Sequence, residues 1–185
     1  MPTPSPWPAW AYFPHNTRPP SWVVPLVEVV RSREDDVRTD RLTGPLTSDA
    51  VLAALAPGLQ GLGYTVETGK TAAGKVRRPV LFGDNGTATV TYEVDGAHDD
   101  LGIVLEVEAG RGARGNAAYR DVIRASLILD VRFLVLMMPM VYRINMASGR
   151  QTQVNAYRDA RDMLEAIYAS RRLPLPFEGV LVIGY

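Results

Sequence analysis

The sequence predicts an α/β fold in which a central mixed β-sheet is flanked by helices. Residues 101–109 form an almost wholly apolar run, which is typical of a central strand. Residues 116–129 place apolar side chains at helical spacing, and residues 131–138 form a second apolar run. Because a strand, a helix and a strand follow one another here, we expect two parallel strands joined by a crossover helix.

The composition indicates one globular domain and excludes several kinds of site. The 185 residues carry 20 basic and 20 acidic side chains, and this zero net charge argues against a protein that coats nucleic acid by charge alone. The absence of cysteine excludes disulfides, thiolate zinc sites and cysteine nucleophiles, and the only histidines are His15 and His98. With no apolar run long enough to span a bilayer and no secretory signal pattern, we expect a cytoplasmic protein without a membrane partner.

The chain divides into an N-terminal arm and one domain. Residues 1–20 are rich in proline and aromatic side chains, so an extended arm is predicted rather than a helix or an inner strand. Residues 21–185 form the predicted α/β domain. Ser48 begins one predicted helix, and residues 156–171 form an amphipathic one. Residues 179–185 are predicted as a last strand or as an edge packed on the sheet.

A predicted hairpin is the part of the chain on which the functional prediction depends. Residues 69–78 are expected to be a polar loop, and the sequence GDNG at 83–86 a turn. Residues 87–95 are then predicted to pair with residues 101–109.

The hairpin carries four acidic residues in a strand-like pattern. Side chains alternate faces along a strand, so Glu106 and Glu108 share one face while Leu105 points into the core. Glu93 and Asp95 share a face of their own strand and are expected to meet that pair. Such a group of carboxylates is an oxygen-ligand site for a hard cation such as Mg²⁺. The alternative is that these acids only decorate the solvent face of a hairpin.

A glycine- and arginine-rich run, GRGARG, comes just before the helix predicted at 116–129. It belongs to a local basic patch that the net charge conceals. The patch comprises Arg111, Arg114, Arg120 and Arg124. The side chains of the helix that are predicted to face inward are Val122, Ile123, Ser126 and Leu127.

The order of elements over residues 48–138 resembles the core of the PD-(D/E)XK nuclease superfamily, which includes many type II restriction enzymes. This order is helix, strand, strand with acids, strand with Glu-x-Glu, helix and strand. Asp95 resembles the first aspartate of the family motif. Glu106-Val107-Glu108 resembles its (D/E)-x-K half, with Glu108 where lysine is usual, as in some restriction enzymes of the superfamily.

The resemblance implies a restriction-endonuclease-like core and a metal-dependent endonuclease. Mg²⁺ or Mn²⁺ would be held by Asp95, Glu106 and the backbone carbonyl of Val107, and Glu108 would orient or deprotonate the attacking water. The candidate auxiliary acids are Glu93, Glu67 and Asp84. The candidate nucleic-acid contacts are Arg111, Arg114, Asn116, Tyr119 and Arg120.

The implied partner is DNA, and a homodimer is expected by analogy with restriction enzymes. Two other functions remain open. In the first, the chain has kept the fold and lost catalysis, and it binds DNA or a protein partner through the same face. It could instead be an interaction domain whose arm at residues 1–20 docks on a partner.

Overall fold

A computed structural model describes residues 7–42, 46–109, 116–145 and 151–185. No helix within these ranges has the length and apolar character needed to cross a membrane. The helices there are α1 (Val23–Arg31), α2 (Glu34–Val37), α3 (Ser48–Gly61), α4 (Ala117–Ser126) and α5 (Ala156–Ser170). The strands there are β1 (Ala9–Phe13), β2 (Thr65–Val66), β3 (Val76–Phe82), β4 (Ala88–Val94), β5 (Gly96–His98), β6 (Ile103–Val107), β7 (Phe133–Met138), β8 (Tyr142–Asn145), β9 (Gln151–Val154) and β10 (Gly179–Gly184).

A six-stranded mixed sheet in the order β1-β10-β7-β6-β5-β2 forms the centre of the protein, which confirms the predicted α/β class. Strands β10, β7 and β6 are parallel to one another, and β1 and β5 pair antiparallel on either side of them. Helix α4 connects β6 to β7, as the sequence predicts. This architecture is consistent with an α/β nuclease-like core.

Both faces of the sheet are buried. Ile103, Leu105 and Val107 pack with the apolar faces of α1 and α3. Val104 and Leu134 point to the other face, where they pack with α4 and α5. Strands covered on both faces have near-continuous apolar sequences, which explains the runs in β6, β7 and β10.

The strand pairing around residue 95 differs from the prediction. Residues 88–94 form β4, which pairs with β3 in a separate two-stranded sheet rather than with β6. The short strand β5 takes the place beside β6. The segment at 69–78, predicted as a polar loop, contains the start of β3. There Arg77 lies opposite Glu93 of β4 and forms an ion pair with it at 3.1 Å. Arg77 is therefore a cross-strand partner of Glu93, whereas Lys70 pairs with Asp49 and Arg78 with Asp99.

Part of the proline-rich segment belongs to the domain. Strand β1 is the edge strand beside β10, and Phe13 is fully buried and stacks on Tyr168 of α5. Residues 9–13 of the predicted arm thus form an edge strand of the sheet, and residues 1–6 lie outside the described residues. Strand β10 is an interior strand between β1 and β7.

Helix α4 buries a different face from the predicted one. Val122 is buried as expected, but Ile123 and Leu127 are 47% and 49% exposed, and Ser126 is half-buried. The alanines in phase with Val122 let the helix lie close to the sheet, where larger side chains would not fit. The buried face comprises Ala118, Asp121, Val122 and Ala125.

The first prediction concerns the apolar face of β6. Leu105 is fully buried, so Leu105→Ala should lower the free energy of unfolding by about 2–5 kcal/mol through the cavity it leaves. The control is Val24→Ala in α1, a position 60% exposed, where the loss should stay below about 0.5 kcal/mol. Urea denaturation measures both. Equal losses in the two variants would contradict the packing described for β6.

Candidate metal centre

The backbone brings three predicted site residues to the carboxyl end of β6. Glu106 lies in β6 and Glu108 directly follows it, and both lie on the face opposite Leu105, as predicted. Asp95 directly precedes β5, the antiparallel neighbour of β6. The backbone N–H of Val107 donates to Asp95 Oδ2 at 2.7 Å, which fixes the Asp95 carboxylate against β6.

A cleft of about 230 Å³ opens at this end of β6, beside the β3–β4 hairpin and α4. Five acidic residues line it, and three basic residues stand among them. The acids are Glu67, Glu93, Asp95, Glu106 and Glu108, and the bases are Lys75, Arg120 and Arg124. The cleft is open to solvent and therefore accessible to an ion and to a larger ligand.

The two glutamates are buried, not solvated. Glu106 is 9% exposed and Glu108 is 7% exposed. Removing an ionised carboxylate from water costs several kcal/mol unless a positive group, a proton or hydrogen bonds compensate its charge. The alternative that these acids decorate the solvent face of a hairpin is therefore wrong for this pair.

Burial and mutual repulsion raise the pKa values of three carboxyl groups. Burial, reinforced by Asp95 and Asp121, raises the pKa of Glu106 well above its usual value. Burial, followed by the influence of Asp121, raises the pKa of Glu108 to about 7. Burial raises the pKa of Asp95 to about 6, although the Val107 N–H opposes the shift. Carboxyl groups that hold protons this tightly are typical of sites where a bound cation would replace those protons.

Asp121 is a member of this cluster that the sequence analysis did not identify. It is 1% exposed, and its Oδ1 accepts from Arg120 Nε at 3.0 Å. Its Oδ2 is buried and has no hydrogen-bond partner among the described residues. A proton shared with the neighbouring Glu108 carboxyl would satisfy such an oxygen, and so would a bound cation. The available signal was its helical phase, since Asp121 shares the buried face of α4 with Ala118 and Val122.

Lys75 is a second residue that the prediction treated only as part of a loop. Its Nζ lies 2.7 Å from Glu67 Oε1 and 3.7 Å from Glu93 Oε2. The hydrogen bond to Glu67 raises the pKa of Lys75, so the ammonium stays charged. The chain has two lysines, Lys70 and Lys75, and Lys75 lines the cleft.

Two arginines of α4 contact the cluster from the other side. Arg120 donates to the carboxylates of Glu108 and Asp121. Arg124 donates to the backbone carbonyl of Glu93 at 2.9 Å. These guanidinium groups offset part of the negative charge in the cleft.

The position of Glu108 is fixed by distant parts of the chain. The buried Tyr185 hydroxyl donates to the backbone carbonyl of Glu108, and the Glu108 N–H donates to Met137 O at 2.9 Å. The Thr39 hydroxyl in turn donates to the carbonyl of Tyr185 at 2.5 Å. The glutamate therefore stands on a rigid backbone, which is what a preorganised site requires.

The remaining predicted residues fall into different places. Asp84 lies in the turn at the far end of the β3–β4 hairpin, about 20 Å along the strand from Glu93. Asn116 is the exposed N-cap of α4, and Tyr119 is 53% exposed on the same helix. Arg111 and Arg114 lie outside the described residues.

The donor atoms suit a hard cation, although they are not assembled into a finished ligand set. Within the described ranges, no three His, Asp or Glu side chains already stand as a group that could hold a metal ion. Two acids have other partners: Glu108 accepts from Arg120, and Asp95 accepts from the Val107 N–H. The all-oxygen chemistry and the unpartnered Oδ2 of Asp121 fit Mg²⁺ or Mn²⁺.

The second prediction concerns stability against pH in the absence of metal. Asp95 and Glu108 bind protons more tightly in the folded than in the unfolded chain, so stability should be highest below their ordinary carboxyl pKa values. It should fall as pH rises through about 6 and about 7. Asp95→Asn should remove on the order of 2–3 kcal/mol of that loss. Urea denaturation in the presence of a chelator, between about pH 4 and about pH 8, measures this dependence of the free energy of unfolding on pH.

The control is Glu178→Gln, because Arg132 lowers the pKa of that exposed glutamate instead of raising it. This change should leave in place the fall of stability between about pH 4 and about pH 7. A parent protein whose stability rises steadily from acid to neutral pH would contradict the electrostatic description of the cleft.

Comparison with known proteins assigns neither a family nor a function to this site. No protein family, no curated protein and no solved structure matches the chain. The functional conclusion therefore rests on the residues themselves. These are the buried glutamates of β6, Asp95 beside them and Asp121 facing them from α4.

Proposed function

We propose that the chain is a metal-dependent nuclease that hydrolyses phosphodiester bonds of DNA. The observation that carries the proposal is the burial of Glu106 and Glu108 beside Asp95 and Asp121 at an open cleft. The order α3, β2, β5, β6, α4, β7 supports it, with β5, which Asp95 directly precedes, in the place that the resemblance gave to the acid-bearing strand 87–95. The β3–β4 hairpin is then an insertion between the first two core strands. DNA as partner and a homodimeric state belong to the same proposal.

In this proposal the carboxylates divide into two roles. Asp95, Glu106 and the Val107 carbonyl would hold the ion, with Asp121 as a further donor. A bound Mg²⁺ or Mn²⁺ supplies charge neutralisation at the phosphate and an acidified water. Glu108 accepts a proton from the attacking water, a task suited to a carboxyl whose pKa is about 7.

The basic side chains of the cleft would position the substrate. Lys75 is charged and lies at the cleft, and Arg120 is 54% exposed while it contacts the acids. Phosphate groups are bound by such charged donors. Because the whole chain carries no net charge and acids outnumber bases in the cleft, these side chains would attract DNA only together with a cation that offsets the carboxylates.

One observation favours the alternative of a nuclease fold that binds without cutting. Arg120 already donates to Glu108 and Asp121, so a guanidinium takes the place that a metal ion would otherwise fill. In an active enzyme this side chain must give way when the ion enters. In an inactive binder it would stay.

The third prediction separates these functions. Glu106→Gln should abolish plasmid nicking in Mg²⁺ or Mn²⁺, with a loss of at least about 100-fold, because a central ligand is lost. Without metal the same variant should melt at the parent temperature or slightly above, because repulsion from Asp95 and Asp121 is relieved. Gel assays of supercoiled DNA and thermal melting measure the two effects.

Glu178→Gln, an exposed acid paired with Arg132, serves as the control and should cut like the parent. If Glu106→Gln cuts as well as the parent, the site assignment is wrong. If the parent retards DNA in a gel but nicks it with neither ion, the binding alternative replaces the proposal. If Glu106→Gln is as unstable as Leu105→Ala, the role of Glu106 is structural and not catalytic.

A further inference from the structure

A second pocket, separate from the acidic cleft, lies between the start of α1, the end of α3 and the β5–β6 turn. It has a volume of about 310 Å³ and opens to solvent. Apolar and aromatic side chains form most of its walls, among them Trp22, Pro25, Leu62, Tyr64, His98 and Leu101. His98 lies opposite Ile103, the first residue of β6, whereas the acids lie at the carboxyl end of that strand. The pocket is therefore at the opposite end of β6 from the cleft.

Three side chains of this pocket bury polar atoms that have no hydrogen-bond partner among the residues that the structure describes. These atoms are Trp22 Nε1, the Tyr64 hydroxyl and His98 Nδ1, and Tyr64 is only 6% exposed. Within the same ranges, three other buried side-chain atoms lack a partner, and none of them belongs to this pocket. A buried polar group without a partner loses the hydrogen bonds that it makes to water in the unfolded chain. One bound molecule would satisfy all three groups.

The fold holds the three rings in place. The backbone N–H of Tyr64 donates to the Leu59 carbonyl at 3.1 Å, which ties Tyr64 to the end of α3. The Tyr64 ring stands at 85° to the His98 ring, with 5.2 Å between their centroids. Trp22 makes an edge-to-face contact with Phe133 of β7, at 5.3 Å between centroids. The walls are thus largely formed before a ligand enters, which lowers the entropy cost of binding.

The chemistry of the walls defines the class of ligand. Trp22 Nε1 is only a donor, and burial raises the pKa of Tyr64, so that its hydroxyl keeps its proton and donates. A neutral histidine donates from Nδ1 in one of its two tautomers. The ligand must therefore offer acceptors. No Asp, Glu, Lys or Arg lines the pocket, so a charged ligand would find no counter-charge there.

We propose that this pocket binds an uncharged heteroaromatic molecule whose ring edge carries hydrogen-bond acceptors. The flat ring packs against the aromatic walls, and its acceptors take the hydrogen bonds that Trp22, Tyr64 and His98 offer. A volume of about 310 Å³ is at the lower end of the range for small-molecule sites and admits a two-ring compound. The three polar atoms are covered by neighbouring atoms, so the rings turn slightly towards the cavity as the ligand enters.

The proposal does not rest on the nuclease function, because no residue lines both this pocket and the acidic cleft. Binding here is therefore measured on the full chain without metal and without DNA. Failure of the ligand to bind would leave the cleft untouched, and loss of nuclease activity would leave this pocket untouched.

Proton NMR of the histidine rings tests the binding, because the chain has only His15 and His98. The probes are caffeine and purine, two uncharged two-ring heterocycles with ring-edge acceptors, and His15→Gln assigns the two signals. At least one probe should shift the His98 signal in a saturable way, with a Kd below about 1 mM. The signal of His15, which is exposed and outside the pocket, should stay in place. If neither probe shifts the His98 signal at about 10 mM, or if both histidines shift alike, the proposal is overturned.

A pair of hydroxyl deletions tests the class of ligand. Tyr64→Phe keeps the ring but removes one donor, so the affinity for the bound probe should fall by at least about 10-fold. Tyr168→Phe is the matched control, because its hydroxyl is also buried and unpartnered within the described ranges but lies outside the pocket. This control should bind like the parent. Without probe, both variants should melt at the parent temperature or above it, because an unpaired buried hydroxyl is removed. Equal affinity of the parent and Tyr64→Phe would contradict selection of the ligand by its acceptors.

Discussion

The arrangement of this protein depends on the burial of like charges at the end of its central strand. Glu106 lies in β6 and Glu108 directly follows it, in the middle of a sheet that is covered on both faces. Their carboxylates are close to Asp95 and Asp121, and all four would repel one another if ionised. A chain that keeps such a cluster needs compensation from protons, guanidinium groups or a cation. The raised pKa values favour protons, Arg120 provides a guanidinium group, and the proposed function supplies the cation.

Distant parts of the chain hold this cluster in place. Asp95 is fixed by the Val107 N–H, and the backbone of Glu108 is fixed by Tyr185, which is fixed in turn by Thr39. The β3–β4 hairpin brings Lys75 to the cleft from outside the main sheet. The site is therefore assembled by the tertiary fold as a whole, and no single segment could form it alone.

The sequence predicted those features that depend on local periodicity. The alternation of side chains in β6 placed Leu105 in the core and the two glutamates on the opposite face, and the long apolar runs identified β6 and β7 as central. Burial of the glutamates was not predictable, because charge alone suggests solvent exposure, and α4 and the β3–β4 hairpin come to lie around them only in the tertiary fold.

The errors concern pairing and helical phase. Residues 88–94 alternate like any strand, and nothing local indicates that they pair with β3 rather than β6. The predicted phase of α4 turns Ile123 and Leu127 inward, and in that phase Asp121 is not on the buried face. In the structure the small residues of α4 face the sheet, and an acid among them is buried. The spacing of these small residues in the sequence is the signal that marks the buried face of α4 and Asp121 on it.

Calorimetric titration of Mn²⁺ or Mg²⁺ in two buffers of different ionisation heat tests the central claim most directly. If the buried carboxyl groups form a cation site, about one ion should bind per chain and protons should be released near neutral pH. The apparent heat should then depend on the buffer, and Glu106→Gln should lose the binding. Absence of binding by the parent, or equal binding with no proton release in parent and variant, would contradict the account.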